Sequence, residues 1–342
     1  VLNPVSSNEI NSAWLSACLG FQVDDFDLQR LPSGYMSDVF LVGVNESASS
    51  PFSFVLKLAA SASDRRRDAH AFNSYRKEVQ FYQQLQPVAA AAGLQTPACY
   101  FSRIDTAGNP AIGLEDLSEL DPVPESRGCD LPQALAVTAA LARLNAEVST
   151  RVAAVETIEI PGFQTGFGPA AEYLASTSLH PFGGKGMSIN LLQNYMTEAV
   201  AFLPTFLAQI QVISHMDCRL DNLRFRGSEP VLFDWGEVSF APIGFDLANF
   251  MVTSLSAENY RDWEVILLDA YLARVQAAGM RHISQEALHR GYRLSLLPLV
   301  YLPLLIRDRG DTDFAHLLFR RLTAALERHG EALTIEMNNI RR

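Results

Sequence analysis

The segment ISHMDCRLDNLRF, residues 213–225, constrains this chain more than any other stretch. It reads His215-x-Asp217-x4-Asn222, and 17 residues after Asp217 the apolar run VLF ends in Asp234-Trp235-Gly236. Phosphoryl transfer asks little of a protein. It needs a carboxylate to orient the attacking hydroxyl and accept its proton, and oxygen ligands for a magnesium ion that bridges the triphosphate. Asp217 fits the first role. Asn222 and Asp234 fit the second, because magnesium takes few and hard oxygen donors. A structural Asp/Asn turn beside a buried histidine would account for any one of these residues, but not for all of them at this spacing.

The same block resembles the aminoglycoside phosphotransferase and choline kinase group of the protein-kinase-like fold. In the longer form HMDCRLDNLRF…DWGEVSFAPIGFDLANF it is most similar to the ecdysteroid-kinase-like branch and its bacterial relatives. Members usually read H-G-D-x-R-L-D-N, and here Met216 stands where they have glycine. The resemblance spans roughly residues 25–275. It implies that His215 and Asp246, the latter in GFDLANF, brace the catalytic loop and do not react.

The resemblance also implies a triphosphate clamp, a strand lysine held by a helix glutamate. Lys57, in FSFVLKL, is the one basic residue inside an expected strand of the first third. Phe52, Phe54, Leu56 and Leu58 share one face of that strand, and Ser53, Val55 and Lys57 share the other. The segment from Asp64 to Gln86 reads as one helix. At about 100° per residue, Glu78 falls inside the apolar arc of Tyr75, Val79, Tyr82 and Leu85. A carboxylate on a buried face requires a cation, and Lys57 is the expected supplier. The turn PSGYMSDV, with Gly34 and Ser37, is the candidate phosphate loop, although an ordinary hairpin turn reads the same way. Glu115 and Leu117, in LEDL, match the hinge whose backbone pairs with adenine. Arg219 is either a cation against the transferring phosphoryl group or a surface partner of Asp221 or Glu237.

No rival chemistry emerges. The chain has 342 residues with 48% hydrophobic and 19% charged side chains, ordinary globular composition with room for a large core. Its formal net charge of −11 argues against nucleic acid or an anionic membrane as partner. Cys18, Cys99, Cys129 and Cys218 form no C-x-x-C pair, so a reducing, cytoplasmic compartment is expected. VLNPVSSNEI lacks the basic and apolar regions of a secretory signal. The greasiest stretch, Leu294–Ile306, contains Pro298 and Pro303 and reads as a buried helix or helix pair. Nothing sets an oligomeric state.

The expected fold is therefore α+β and bilobal, with a small β-rich N-lobe over 1–117 and a large, mainly helical C-lobe over 118–342. ATP and Mg2+ would bind between the lobes. The expected function is transfer of the γ-phosphoryl group to a hydroxyl of a small organic molecule. A catalytically silent nucleotide or metabolite binder is the alternative, and protein phosphorylation ranks below both because no A-P-E-like segment follows Asp234. The acceptor pocket would be built from a loop over the glycine-rich 161–187 stretch and the later helices. Phe163, Phe167 and Tyr301 are either core residues or walls for an apolar or aromatic alcohol.

Overall fold

A computed structural model describes residues 2–32, 35–45, 52–153 and 160–340. The N-terminal part is built on five antiparallel strands: β1 (Asp25–Arg30), β2 (Ser37–Asn45), β3 (Phe52–Ala59), β4 (Cys99–Ile104) and β5 (Pro110–Glu115). Their spatial order is β1-β2-β3-β5-β4. Strand alternation divides β3 as its sequence requires. Phe54, Leu56 and Leu58 enter a core with Leu15, Val42 and Val44, while Val55 and Lys57 face a cleft on the other side. Val39 of β2 lies opposite Lys57. β4 was not expected from its sequence, CYFSRI, and owes its place to pairing with β5.

The helix expected over 64–86 is two helices. Ser63–Ala71 ends at Phe72, Asn73 adopts a left-handed conformation with φ 57°, and Ser74–Gln80 starts afresh. Asparagine is among the few residues that tolerate that conformation. The second helix widens into a π turn over Phe81–Leu85 and continues as Gln86–Ala91. Phe81 stacks on the fully buried Trp235, with 3.7 Å between ring centroids and 5° between planes. Such a pair contributes about 0.5–1.5 kcal/mol beyond the area it buries. It fastens the helix carrying Glu78 to the strand end carrying Asp234.

The C-terminal part is mainly helical, with its longest helices at Met187–Leu207, Ala257–Ala277 and Thr312–Ile340. Short strands interrupt it: β6 (Gln211–Ser214), β7 (Leu223–Arg226), β8 (Glu229–Leu232) and β9 (Ser239–Pro242). They form two separate ladders, β6 with β9 and β7 with β8. The turns between them hold Asp217, Asn222 and Asp234.

One further expectation needs correction. The 161–187 stretch is not simply a loop, because Gln164–Ser176 is helical. Phe167, Ala171 and Leu174 recur at helical spacing on its buried face, and that outweighs the glycines at 166 and 168. Leu294–Ile306 is a helix pair, one of the two forms expected of it, and the break falls at Pro298. The helix Gln285–Ser295 ends, one 3-10 turn follows over Pro298–Val300, and a new helix runs from Tyr301 to Asp308. Proline lacks the N–H that a helix interior needs. Among the described residues no helix is long and apolar enough to cross a membrane.

Candidate active site

A cavity of about 840 Å3 lies between the five-stranded sheet and the helical part. Lys57 reaches into it from β3. Its Nζ lies 2.6 Å from Glu78 Oε1 and 2.8 Å from Asp234 Oδ1. Burial alone would lower the Lys57 ammonium, but Asp234 and Glu78 hold it above its usual range. Burial keeps Glu78 above the usual carboxylate range in spite of Lys57. Asp234, enclosed in the cleft, would also rise, but the charge and hydrogen bond of Lys57 hold it below the ordinary value. One cation thus serves two carboxylates, and Asp234 is the one that opens onto the cavity.

The loop after β6 is pinned from below. Asp246, at the start of the helix Phe245–Ser254, accepts hydrogen bonds from the backbone N–H groups of His215 and Met216, both at 2.9 Å, and from Asn145 Nδ2 at 3.2 Å. His215 Nε2 lies 3.0 Å from the Phe233 carbonyl, so the imidazole ties this loop to the strand end before Asp234. Met216 has φ 72°, a left-handed conformation that costs a β-carbon-bearing residue about 1–2 kcal/mol. That is the physical reason a glycine serves well there. Met216 keeps the turn because both its backbone groups are engaged: its N–H by Asp246 and its carbonyl by Asn249 Nδ2 at 2.7 Å.

Asp217 then stands on the cavity wall. Asn222 Nδ2 donates to the Asp217 carbonyl at 2.9 Å and to its Oδ2 at 2.8 Å. Among the described residues nothing donates to the Asn222 amide oxygen, and the second oxygen of Asp234 is also without a partner. Two free hard oxygens on adjacent turns fit a magnesium ion that takes its remaining ligands from phosphate and water. Among the described residues no three or more His, Cys, Asp or Glu side chains are placed to hold a metal ion, so the donor set does not suit a metal held by protein alone.

Arg219 carries three ion pairs, to Asp217 at 3.3 Å, Asp221 at 3.2 Å and Glu125 at 3.2 Å, and none to Glu237. Burial opposes its charge, but these carboxylates raise its pKa above the usual value. Glu125 escaped the sequence reading. It sits in DPVPESRGCD, a stretch with no periodicity and no motif to mark it. Its carboxylate also accepts the Asp221 N–H at 3.3 Å, and Arg321 Nη2 donates to its carbonyl at 2.9 Å. Burial pushes the Glu125 carboxyl up to about 7 against the pull of Arg219. Glu237 also went unassigned. It accepts from Ser74 Oγ at 2.7 Å and pairs with the buried Lys77 at 3.5 Å. Burial raises its pKa in spite of Lys77.

The remaining candidates are less committed. Ser37 opens β2, is buried and lines the cavity. Gly34 lies outside the described residues. At the expected hinge, the Glu115 N–H is taken by the Ala98 carbonyl at 2.8 Å, and its side chain pairs with Arg226. The Leu117 carbonyl accepts from Leu120 N–H at 3.0 Å, while the Leu117 N–H has no partner among the described residues.

Residues 27–287 match the model of the phosphotransferase enzyme family. The chain belongs to that family. None of the curated protein sequences matches it. Solved structures share its fold: amicoumacin kinase hAmiN, with AMP-PNP, Ca2+ and amicoumacin, is 11% identical at a TM-score of 0.58, over 94% of this chain and 92% of that one. Choline kinase from Cryptosporidium parvum is 12% identical at 0.55, over 96% and 93%. A GDP complex of a variant of aminoglycoside 2'-phosphotransferase-IIIa is 14% identical at 0.53, over 94% and 100%. The family member described here is thus a phosphotransferase of bilobal, protein-kinase-like fold.

Proposed function

We propose that this phosphotransferase moves the γ-phosphoryl group of ATP to a hydroxyl of a small organic molecule. We also place its lobe boundary at residue 117, just after β5. The observation that carries the reading is the convergence of Lys57 and Glu78 with Asp217, Asn222 and Asp234 on one cavity, although the two groups are more than 130 residues apart in sequence.

In this reading the free Leu117 N–H meets the adenine edge, and Lys57, held by Glu78, meets the phosphates. Asn222 and Asp234 would hold a magnesium ion, which would offset the negative charge of the phosphates. Asp217 orients the acceptor hydroxyl. The acceptor oxygen forms its bond to the γ-phosphorus as the bond to the β–γ bridging oxygen breaks. ADP leaves with that electron pair, and the hydroxyl proton passes to Asp217. Arg219, drawn toward Asp217 and anchored by Glu125, adds positive charge beside the transferring group. Most of the rate then comes from positioning and from charge placed in advance.

The test is Asp217→Asn. The amide preserves size and the hydrogen bond to Asn222 but cannot take a proton. Turnover should fall by about 10²–10⁴, while ATP affinity, measured by calorimetry, stays within threefold. Unchanged turnover would remove Asp217 from the reaction.

A further inference from the structure

The cavity continues past Asp217 between two helices whose cavity faces carry no charge. From Gln164–Ser176 and the residue before it come Phe163, Phe167 and Leu174; from Tyr301–Asp308 come Tyr301, Leu302 and Leu305. The spacing within each set is that of one helical stripe. The helices meet at Tyr173, whose ring packs edge-on to Tyr301 at 5.3 Å and whose hydroxyl donates to Asp308 at 2.7 Å. Apolar stripes of surface helices normally cover core. Here Phe163, Tyr301, Leu302 and Leu305 stay half-buried along the cavity that also holds Asp217, with the buried Phe167 and Leu174 packed behind them.

The carboxylates of the cavity each have partners already. Glu78 and Asp234 hold Lys57. Glu115 pairs with Arg226, Asp221 with Arg219, and Glu237 with Lys77. Asp116 accepts from Ser53 Oγ and Ser118 N–H, both at 2.9 Å. Asp217 is engaged by Asn222 and Arg219. Among the described residues every cavity carboxylate thus has a partner, and the free oxygen of Asp234 lies at the Lys57 end, away from the two helices. At the rim, Arg309 lies over the Tyr35 ring, 3.4 Å from its centroid, with no carboxylate partner among the described residues. The net charge of −11 is therefore not concentrated where an acceptor would sit.

We infer that the acceptor is an alcohol with an uncharged, apolar body seated between these two helices, and not a polyamine. This rests on the phosphotransfer reading and narrows it. Burial of apolar surface drives binding in proportion to area, so affinity should track the size of the hydrocarbon. Aromatic walls also attract quaternary ammonium through cation–π contact, which makes choline the sharpest competitor.

The experiment measures ADP release by the full chain with Mg·ATP, supplying linear alcohols from butanol to decanol, cyclic alcohols, choline and kanamycin in turn. The expected result is that kcat/KM rises about fourfold per added methylene, and that choline and kanamycin lie below the longer alcohols. Leu305→Glu should reduce kcat/KM for decanol by about tenfold or more by burying a charge against it, without changing KM for ATP. Should that variant fail to fold, Leu302→Ala gives a smaller loss of the same kind. Preference for kanamycin or choline, or a rate flat in chain length, overturns the inference and leaves phosphotransfer standing. A second arm titrates the same alcohols into Asp217→Asn by calorimetry. Binding that grows with chain length, with no transfer by the wild-type protein, supports the apolar pocket and defeats the phosphotransfer reading. No binding by any alcohol overturns the pocket.

Discussion

The two ends of the cavity are made in opposite ways. At the candidate nucleotide end, Lys57, Glu78, Asp234, Asp217, Asn222 and Arg219 contact one another through short, charge-assisted bonds, and each has a fixed place in a turn, strand or helix. At the other end, Phe163, Phe167, Tyr301, Leu302 and Leu305 make a wall with no ion pair in it. The first end depends on individual atoms, so changing one should be costly. The second depends on area, so single changes should be mild and graded. The difference separates what a phosphotransferase must keep from what it is free to vary.

The largest effect should come from Lys57→Met. It leaves Glu78 and Asp234 close together with no cation, and breaking such a buried arrangement costs about 3–5 kcal/mol. Denaturant unfolding should report that loss, together with weakened ATP binding. A cost under about 1 kcal/mol would show that the charged end is no more exacting than the apolar one.

Next comes pH. Glu125 has a folded pKa of about 7, above its ordinary 4.5. The folded chain therefore binds more protons than the unfolded chain between these values. The stability this group contributes is fully present below about 4.5 and is lost as pH rises through 7, to a total of about 3 kcal/mol. Glu125→Gln should remove that slope. The measurement is the difference in urea unfolding free energy between variant and parent from pH 4.5 to 8; a pH-independent difference would contradict the burial of this carboxyl.

Smaller still is Met216→Gly, which relieves the left-handed conformation at φ 72° and should stabilise the fold by about 1 kcal/mol. Thermal unfolding would show it as a rise in Tm, and a fall would mean that packing of the methionine outweighs its backbone strain. The mildest change in stability belongs to the apolar end. Leu302→Ala, at a half-exposed position, should cost about 1 kcal/mol or less, even as it weakens acceptor binding. A cost as large as that of Lys57→Met would erase the contrast between the two ends.

How far each end was legible follows from the same contrast. His215, Asp217, Asn222 and Asp234 fall within 20 residues and carry their spacing in the chain itself. Lys57 and Glu78 could be matched through strand alternation and helical phase, because the helix break at Asn73 lies before Glu78 and leaves its local phase intact. Glu125 had no such signal, since its partners Arg219 and Arg321 lie 94 and 196 residues away. Nor could the helix over Gln164–Ser176 outweigh its glycines on paper, because its buried face is explained only by what packs on it.

The sequence by itself determined the chemistry, since groups that share a turn or an alternating strand are placed by local backbone geometry. It also determined the α+β division, since alternation and helical period are short-range properties. Only the tertiary structure decided which carboxylate anchors Arg219, that the Leu117 N–H stays free among the described residues, and that two apolar helix faces reach the cavity that holds Asp217. Those outcomes depend on which distant surfaces pack together, and packing is settled by the whole core at once.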